Sequence, residues 1–455
     1  MKYYMVLVFI MFLVGNNGFA QEKLSLEECI QMALEYNATL KQKEYTNQSA
    51  DYDVTGSYSG IMPVIDLSFR KGETTIGSSE RIINDVVVDV DPITGQPIYG
   101  TAKIKTPKQY AKDNSLTLSV TQNLYDGGRW WNNINRAKLN KESSDYDLAG
   151  QRNETILTVQ SLYYDLLAQM KLYEVNKVAV QRSEGQLTRT EKMYELGSKA
   201  RLDVYQAKVN LGNDRISLLN QENIVGDSRR NLNLALGREP EEPIEIEFVE
   251  EVSPPVEPLN VLVDKAMESQ PLLKRNEIDV NSSELGVSLS KAGYYPSLRA
   301  YFQYNRRNSD LEKIYSDLNL EYVWAVGLIL NWNIFNGMSD YVGVQKSKIV
   351  EMSAREEQAR YMRSLKSRIK AYHDNYASYV EIIAINEENL IAAQEELRLA
   401  EERYQIGAGT SLEVREAQVK LTRAEQTLIA ARYNSLITQA QLDNELGLSE
   451  KKLSN

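Results

Sequence analysis

The sequence predicts an α+β membrane protein made by internal tandem duplication. Each chain would supply four strands to a transmembrane β-barrel shared between chains, and would continue that barrel as a long α-helical barrel. Three observations predict this. The phrase NLYDGG at Asn123–Gly128 returns as NIFNGM at Asn333–Met338, 210 residues later. Four segments of about ten residues alternate apolar and polar side chains, the pattern of a two-faced strand. Two stretches, Gly127 to Gly197 and Gly337 to Gly407, contain no proline and read as long helices.

The N-terminal stretch MKYYMVLVFIMFLVGNNGFA, residues 1–20, reads as a secretory signal peptide. Lys2 precedes an apolar run from Met5 to Val14, and Gly18 and Ala20 stand where a signal peptidase reads, so the mature chain would begin at Gln21. A membrane anchor is the alternative, but the run is shorter than the ~20 residues that a span needs. Elsewhere charges interrupt every apolar stretch, and the mean hydropathy is −0.44. An exported chain of this kind is periplasmic, secreted or an outer-membrane barrel. Cys29 is the single cysteine, so no intrachain disulfide exists; it sits on the apolar face of LSLEECIQMAL as a packing thiol. The net charge of −11 argues against nucleic acid as a partner. Tyrosine outnumbers phenylalanine 28 to 7, an aromatic set suited to wet interfaces.

The echo extends well beyond the glycine turns. Tyr194, Gly197, Leu202, Val204, Ala207, Val209 and Leu211 recur 210 residues on as Tyr404, Gly407, Leu412, Val414, Ala417, Val419 and Leu421. Leu236-Gly237 likewise recurs as Leu446-Gly447. Upstream the offset is 233: Ala33, Glu35, Leu40, Gly60 and Pro63 match Ala266, Glu268, Leu273, Gly293 and Pro296. One offset held over more than a hundred residues points to duplication, and the 23-residue difference to extra chain in the first copy between Pro63 and Asn123.

This divides the mature chain into a first repeat at 21–237, an acidic proline-rich linker at 238–258, a second repeat at 259–447 and a tail at 448–455. The first repeat is expected to hold a helix, a strand at about 61–70, a loop at 71–113, a strand at about 114–125 and a long helical hairpin with its tip near 197. The second is expected to hold strands at about 296–305 and 320–335, and a tip near 407. The segment 71–113 is rich in Gly, Pro and polar residues, hence the loop. In the linker IEIEFV reads as a short strand. The helices from Gly127 and Gly337 would reach ~100 Å at 1.5 Å per residue. The last helix carries a heptad, with Val414, Leu421 and Leu428 at one position and Ala417, Ala424 and Ala431 at the other.

Four strands cannot close a barrel, because barrels begin at about eight. Open edges in lipid leave backbone groups unpaired at several kcal/mol each. The barrel must therefore be shared, and periodicity alone leaves two or three chains open. Gly127, Gly128 and Gly337 sit where strand becomes helix and tolerate the sharp change in backbone direction there. A soluble sheet packed on helices, in a periplasmic coiled-coil scaffold without a pore, is the competing reading.

The motifs YELGSKARLDVYQAKVNL, YQIGAGTSLEVREAQVKL and ARYNSLITQAQLDNELG, with the two strand-to-helix phrases, carry a resemblance over essentially the whole mature chain. The chain resembles the TolC-type outer-membrane efflux proteins, the outer membrane factors. The resemblance implies a homotrimer with a twelve-stranded barrel in outer-membrane lipid and a helical barrel across the periplasm. It implies a passive exit duct for a tripartite efflux pump or a type I secretion system. A periplasmic adaptor protein would dock on the tips, and an inner-membrane transporter would act through it. The docking positions implied are Leu196, Gly197 and Ser198, and Ile406, Gly407 and Ala408. The periplasmic gate implied comprises Asp203 paired with Tyr404, and an acidic ring of Glu413 and Glu416. Gly409 stands where some members carry a basic residue of the same lock.

No enzyme and no cofactor emerge. His373 is the only histidine, and with Cys29 alone there is no set of ligands with metal-site spacing. No glycine-rich phosphate loop follows a strand.

Overall fold

The computed structural model describes residues 23–248 and 257–450. The expected leader, residues 249–256 of the linker and residues 451–455 of the tail lie outside the described residues. The first copy runs α1 (Leu26–Tyr36), α2 (Ala38–Ser57), β1 (Val64–Ile76), β2 (Ser79–Val90), β3 (Pro97–Thr106), β4 (Gln109–Tyr125), α3 (Arg129–Glu195) and α4 (Arg201–Ala235). The second runs α5 (Leu259–Ser269), α6 (Pro271–Lys291), β5 (Ser297–Asn308), α7 (Glu312–Tyr315), β6 (Tyr322–Asn331), α8 (Ser339–Gln405) and α9 (Ser411–Glu445).

The duplication is written in element lengths. α3 and α8 both have 67 residues, and α4 and α9 both have 35. α3 and α8 begin 210 residues apart, whereas α1 and α5, and β1 and β5, begin 233 apart, the two offsets read from the sequence. None of the described helices is long and apolar enough to cross a membrane.

Contacts divide the chain into two units, one of Tyr52–Lys138 and Ser282–Met352, the other of the remaining described residues. The first unit holds a four-stranded antiparallel sheet in the order β1-β4-β5-β6. Its register sorts side chains cleanly. Leu67 faces Leu118, Leu118 faces Tyr304, and Tyr304 faces Trp324, so one surface carries Ile65, Leu67, Phe69, Val120, Phe302, Val326, Leu328 and Leu330. The other carries Asp66, Ser68, Arg70, Ser115, Thr117, Thr121, Gln303, Asn305 and Arg307. On that polar side Arg307 grips Asp113 with two hydrogen bonds of 2.5 Å and 2.9 Å, and Asn305 donates to Thr117 at 2.9 Å. The apolar side is open: Leu67 is 70% exposed and Leu328 66%. A soluble sheet would hide such a face under a helix.

The segment expected as a loop at 71–113 is not one. β1 runs on to Ile76, β4 begins at Gln109, and β2 and β3 pair between them as a second, two-stranded sheet. The alternation was obscured because register shifts between Ile83 and Val86 and between Val87 and Asp89 break the period of two. β6 is also shorter than the expected strand at 320–335. It ends at Asn331, and Trp332 turns away to donate its ring N–H to the Tyr294 carbonyl at 3.2 Å. The expected strand in the linker reduces to one parallel bridge between Leu24 and Ile246.

At the strand-to-helix turns, Gly127 and Gly128 have φ of 73° and 83°. A Cβ on Gly127 would lie 2.7 Å from the Ala292 carbonyl oxygen, so the site excludes side chains by space as well as by conformation. In the second copy Gly337 has φ of 67°, and the residue after it, Met338, takes φ of 72° without being glycine. The polar residue of each phrase caps its helix: Asp126 accepts from the Trp130 N–H at 2.9 Å, and Asn336 from the Asp340 N–H at 3.4 Å.

The second unit is helical. Its largest core gathers Leu26, Cys29 and Ile30 of α1, Ile156, Tyr163 and Leu166 of α3, Leu232 of α4 and Leu436 of α9. Burial pushes the Cys29 thiol up to about 12, aided by the adjacent Glu28 carboxylate. A second core joins Leu262 of α5, Leu365 and Ile369 of α8 and Leu446. Each such aliphatic side chain cut to alanine costs about 2–5 kcal/mol.

Candidate functional site

The hairpin turns between α3 and α4 and between α8 and α9 close alike. The Ser198 N–H reaches the Met193 carbonyl and the Gly197 N–H the Tyr194 carbonyl, both at 2.9 Å. The equivalent bonds at the second turn are Ala408 to Arg403 at 2.8 Å and Gly407 to Tyr404 at 3.1 Å. This doubled closure needs a left-handed residue just past the helix, and Gly197 and Gly407 supply it at φ of 74° and 75°. The turns carry Leu196 and Ile406 at 83% and 80% exposure. Two solvent-facing aliphatic residues at paired apices, with Ser198 and Ala408 beside them, are the positions for which the resemblance implies docking.

The residues expected at the gate lie close to these turns, in arrangements the sequence did not foresee. Asp203 and Glu413 occupy equivalent positions in the first turn of α4 and α9. The Asp203 carboxylate accepts from the Ala200 N–H at 3.1 Å and from the Ser411 hydroxyl at 3.3 Å, so it links the two turns. The Glu413 N–H is capped by Thr410 at 3.2 Å, and its carboxylate lies 3.8 Å from the Arg403 guanidinium. Glu416 is exposed one turn further along α9.

Tyr404 does not meet Asp203 within this chain. Its ring is 2% exposed, among Leu397, Val414, Ala417 and Leu421, and its hydroxyl lies 3.4 Å from the Thr190 hydroxyl. Asp203 is instead committed to its helix cap and to Ser411. A side chain at Gly409 would press on the backbone of Arg403 and Tyr404, with its Cβ 3.2 Å and 3.1 Å away. The equivalent residue of the first turn, Lys199, supplies a cation there, its Nζ 4.6 Å from the centre of the Tyr404 ring.

The strongest polar link between the hairpins was missed from sequence. Arg415 on α9 donates to both carboxylate oxygens of Asp214 on α4, at 2.7 Å and 2.9 Å, and Ser183 on α3 donates to the same carboxylate. Arg182 reaches Glu425 at 3.0 Å, again from α3 to α9. A cleft of about 220 Å³ lies here, lined by Gln186, Asp203, Ala207, Leu412, Arg415 and Gln418. The signal that marks these residues is asymmetry. Arg415 stands where the first copy has Tyr205, Asp214 where the second has Ala424, and Thr190 where the second has Ala400.

The family profile described as outer membrane efflux protein matches residues 29–238 and 262–448. The outer membrane protein TolC of Vibrio cholerae is 23% identical over 343 residues, 74% of this chain and 77% of the relative. Among solved structures, the Campylobacter jejuni CmeC outer membrane channel superposes with a TM-score of 0.77 at 14% identity, covering 94% of this chain and 88% of that one. The outer membrane protein VceC of Vibrio cholerae gives 0.73 at 16% identity, with 93% and 96% covered. With both copies of the repeat matched, the chain belongs to the outer membrane efflux protein family.

Proposed function

We propose that this protein is a passive exit duct in the outer membrane, built as a homotrimer and serving a tripartite efflux pump or a type I secretion system. The observation that carries this reading is the sheet β1-β4-β5-β6, with an exposed apolar face, a polar face and two edges without a strand partner among the described residues. In lipid each unpaired backbone group costs several kcal/mol, so both edges require strands from sister chains. Three copies bring twelve strands, enough to enclose an aqueous channel with the polar faces inward.

The long periplasmic part is formed by the helices that leave the sheet at Gly128 and Met338. Its tips are docked by a periplasmic adaptor through Leu196–Ser198 and Ile406–Ala408, and the energy comes from an inner-membrane transporter behind the adaptor. The gate lies at Asp203, Tyr404, Glu413 and Glu416, where threefold symmetry brings like carboxylates together around the axis. Opening moves the α8–α9 hairpin outward and separates those carboxylates.

Purified protein added to a planar lipid bilayer should insert and conduct in discrete steps. Release from membranes by a salt wash, with no conductance, would instead identify a peripheral scaffold. Replacing Gly197 or Gly407 by a bulky residue should impair export in cells while the assembled protein stays intact. Normal export in both variants would remove the tips as the docking surface.

A further inference from the structure

β2 and β3 continue the wall formed by β1 and β4. Ile76 pairs with Gln109, and Ser79 with Thr106, three residues further along each strand, so the register passes unbroken from one sheet to the other. Only the ladder is interrupted, at Gly77-Ser78 and Pro107-Lys108, where Pro107 has no N–H to give. The ribbon can tilt there without losing a ladder bond. It leaves the sheet at the end away from the Gly127 turn.

The far end of the ribbon carries bare apolar side chains, interspersed with the exposed carboxylates of Asp85 and Asp89. Val87, Val88, Val90, Ile98 and Tyr99 are 46% to 62% exposed. The turn is nevertheless built firmly. Asp91 accepts from the Ile93 N–H at 2.9 Å and from the Thr94 hydroxyl at 2.7 Å, and Ile93 projects at 93% exposure. A two-stranded ribbon in water is marginal without cover, and a row of exposed β-branched residues on open edges invites pairing. The second copy's own connection cannot provide that cover. It is tied down by Arg306, a side chain 2% exposed that donates to the carbonyls of Lys313 and Ser316 at 2.7 Å each.

We propose that the distal ends of the β2–β3 ribbons from the three copies pack against one another over the outer mouth of the barrel and form a cap. The occupant of each apolar ribbon end is thus a second copy of this chain. The inference rests on the shared barrel proposed above and extends it, because the ribbon is continuous with strands whose edges already require sister chains. The dimensions allow it. A twelve-stranded barrel with strands ~4.8 Å apart and tilted by about 40° has a radius of roughly 12 Å. A twelve-residue strand reaches about 40 Å, far enough to bring three ribbon ends to the axis.

Cysteine cross-linking of the assembled protein tests this with little background, since Cys29 is fully buried. Ile93→Cys and Tyr99→Cys in the cap, and Ser79→Cys at the ribbon base, are oxidised in dilute detergent. The cap predicts disulfide-linked two-chain species for Ile93→Cys or Tyr99→Cys inside particles that remain three chains in mass, with none for Ser79→Cys. Intact trimers that stay unlinked at both cap positions overturn the proposal. So does linkage that appears only between trimers, which would make the ribbon end a contact for other molecules. Particles with no three-chain mass before oxidation would defeat the shared barrel itself, a result distinguishable from loss of the cap alone.

Discussion

Arg415 on α9 holds Asp214 on α4 through two charge-assisted hydrogen bonds, and with it ties the second hairpin to the first. The pair is 23% and 14% exposed, so water screens it only in part. Truncating one partner leaves the other charge mostly buried and without its counter-ion. Arg415→Ala should therefore cost about 2–3 kcal/mol, toward the lower end for a broken buried pair. Thermal unfolding of Arg415→Ala, Asp214→Ala and the double variant forms the cycle that checks it. The double variant should be less unstable than the sum of the singles. Strict additivity would mean the two groups do not interact.

The acidic residues on α9 predict a cation-sensitive channel. Around a threefold axis, Glu413 and Glu416 would present a ring of carboxylates whose repulsion multivalent cations relieve. Glu413→Ala combined with Glu416→Ala should weaken the block of single-channel conductance by divalent cations. Conductance equally sensitive in wild type and variant would take both residues out of the gate.

Met338 and Gly127 predict opposite signs for losing and for gaining a side chain at a left-handed position. Met338 holds a left-handed backbone that costs a side-chain-bearing residue about 1–2 kcal/mol, partly offset by the greater unfolded-state freedom of glycine. Met338→Gly should stabilise by about 0.5–1 kcal/mol. Gly127→Ala should destabilise by more than that, because its Cβ would meet the Ala292 carbonyl oxygen at 2.7 Å. Paired denaturation midpoints check the signs, and a destabilised Met338→Gly would show that the thioether contributes more than the backbone costs.

The buried groups around α1 predict alkaline sensitivity. Burial raises Cys29 from 9.0 to about 12, and burial raises Tyr163 and Tyr164 as well. A folded pKa above the unfolded one adds stability that is complete below the unfolded pKa and is lost as pH rises toward the folded one. Stability should therefore hold up to about pH 9 from these groups and decline toward pH 12. Cys29 should also resist a thiol reagent at pH 8 until the protein unfolds. Rapid labelling of the folded protein would contradict its placement in the core.

What the sequence made legible, and what it hid, divides along the range of the interactions. Helix spans were readable because the duplication reports each one twice: the α3 turn at Gly197 and the α8 turn at Gly407 carry the same offset. The four-stranded sheet was readable because lipid-type alternation survives along β1, β4, β5 and β6. The β2–β3 ribbon was not, since two register shifts and Asp85 at φ of 59° scramble its period. At the tips, Gly197 and Gly407 stood out because backbone conformation is a local property. Tyr404 with Thr190, and Arg415 with Asp214, join residues more than two hundred positions apart. Thr190, Asp214 and Arg415 occupy positions where the two copies differ, so a search for matches between copies passed over them and left Tyr404 without its partner.

The claim on which the duct depends is that sister chains complete the sheet at the free edges of β1 and β6. Native mass spectrometry of the mature protein, extracted from membranes in mild detergent, tests it most directly. The account predicts a particle of three chains that dissociates only on denaturation. A one-chain particle that stays folded and soluble when the detergent is removed would contradict it, as would a stable particle of two.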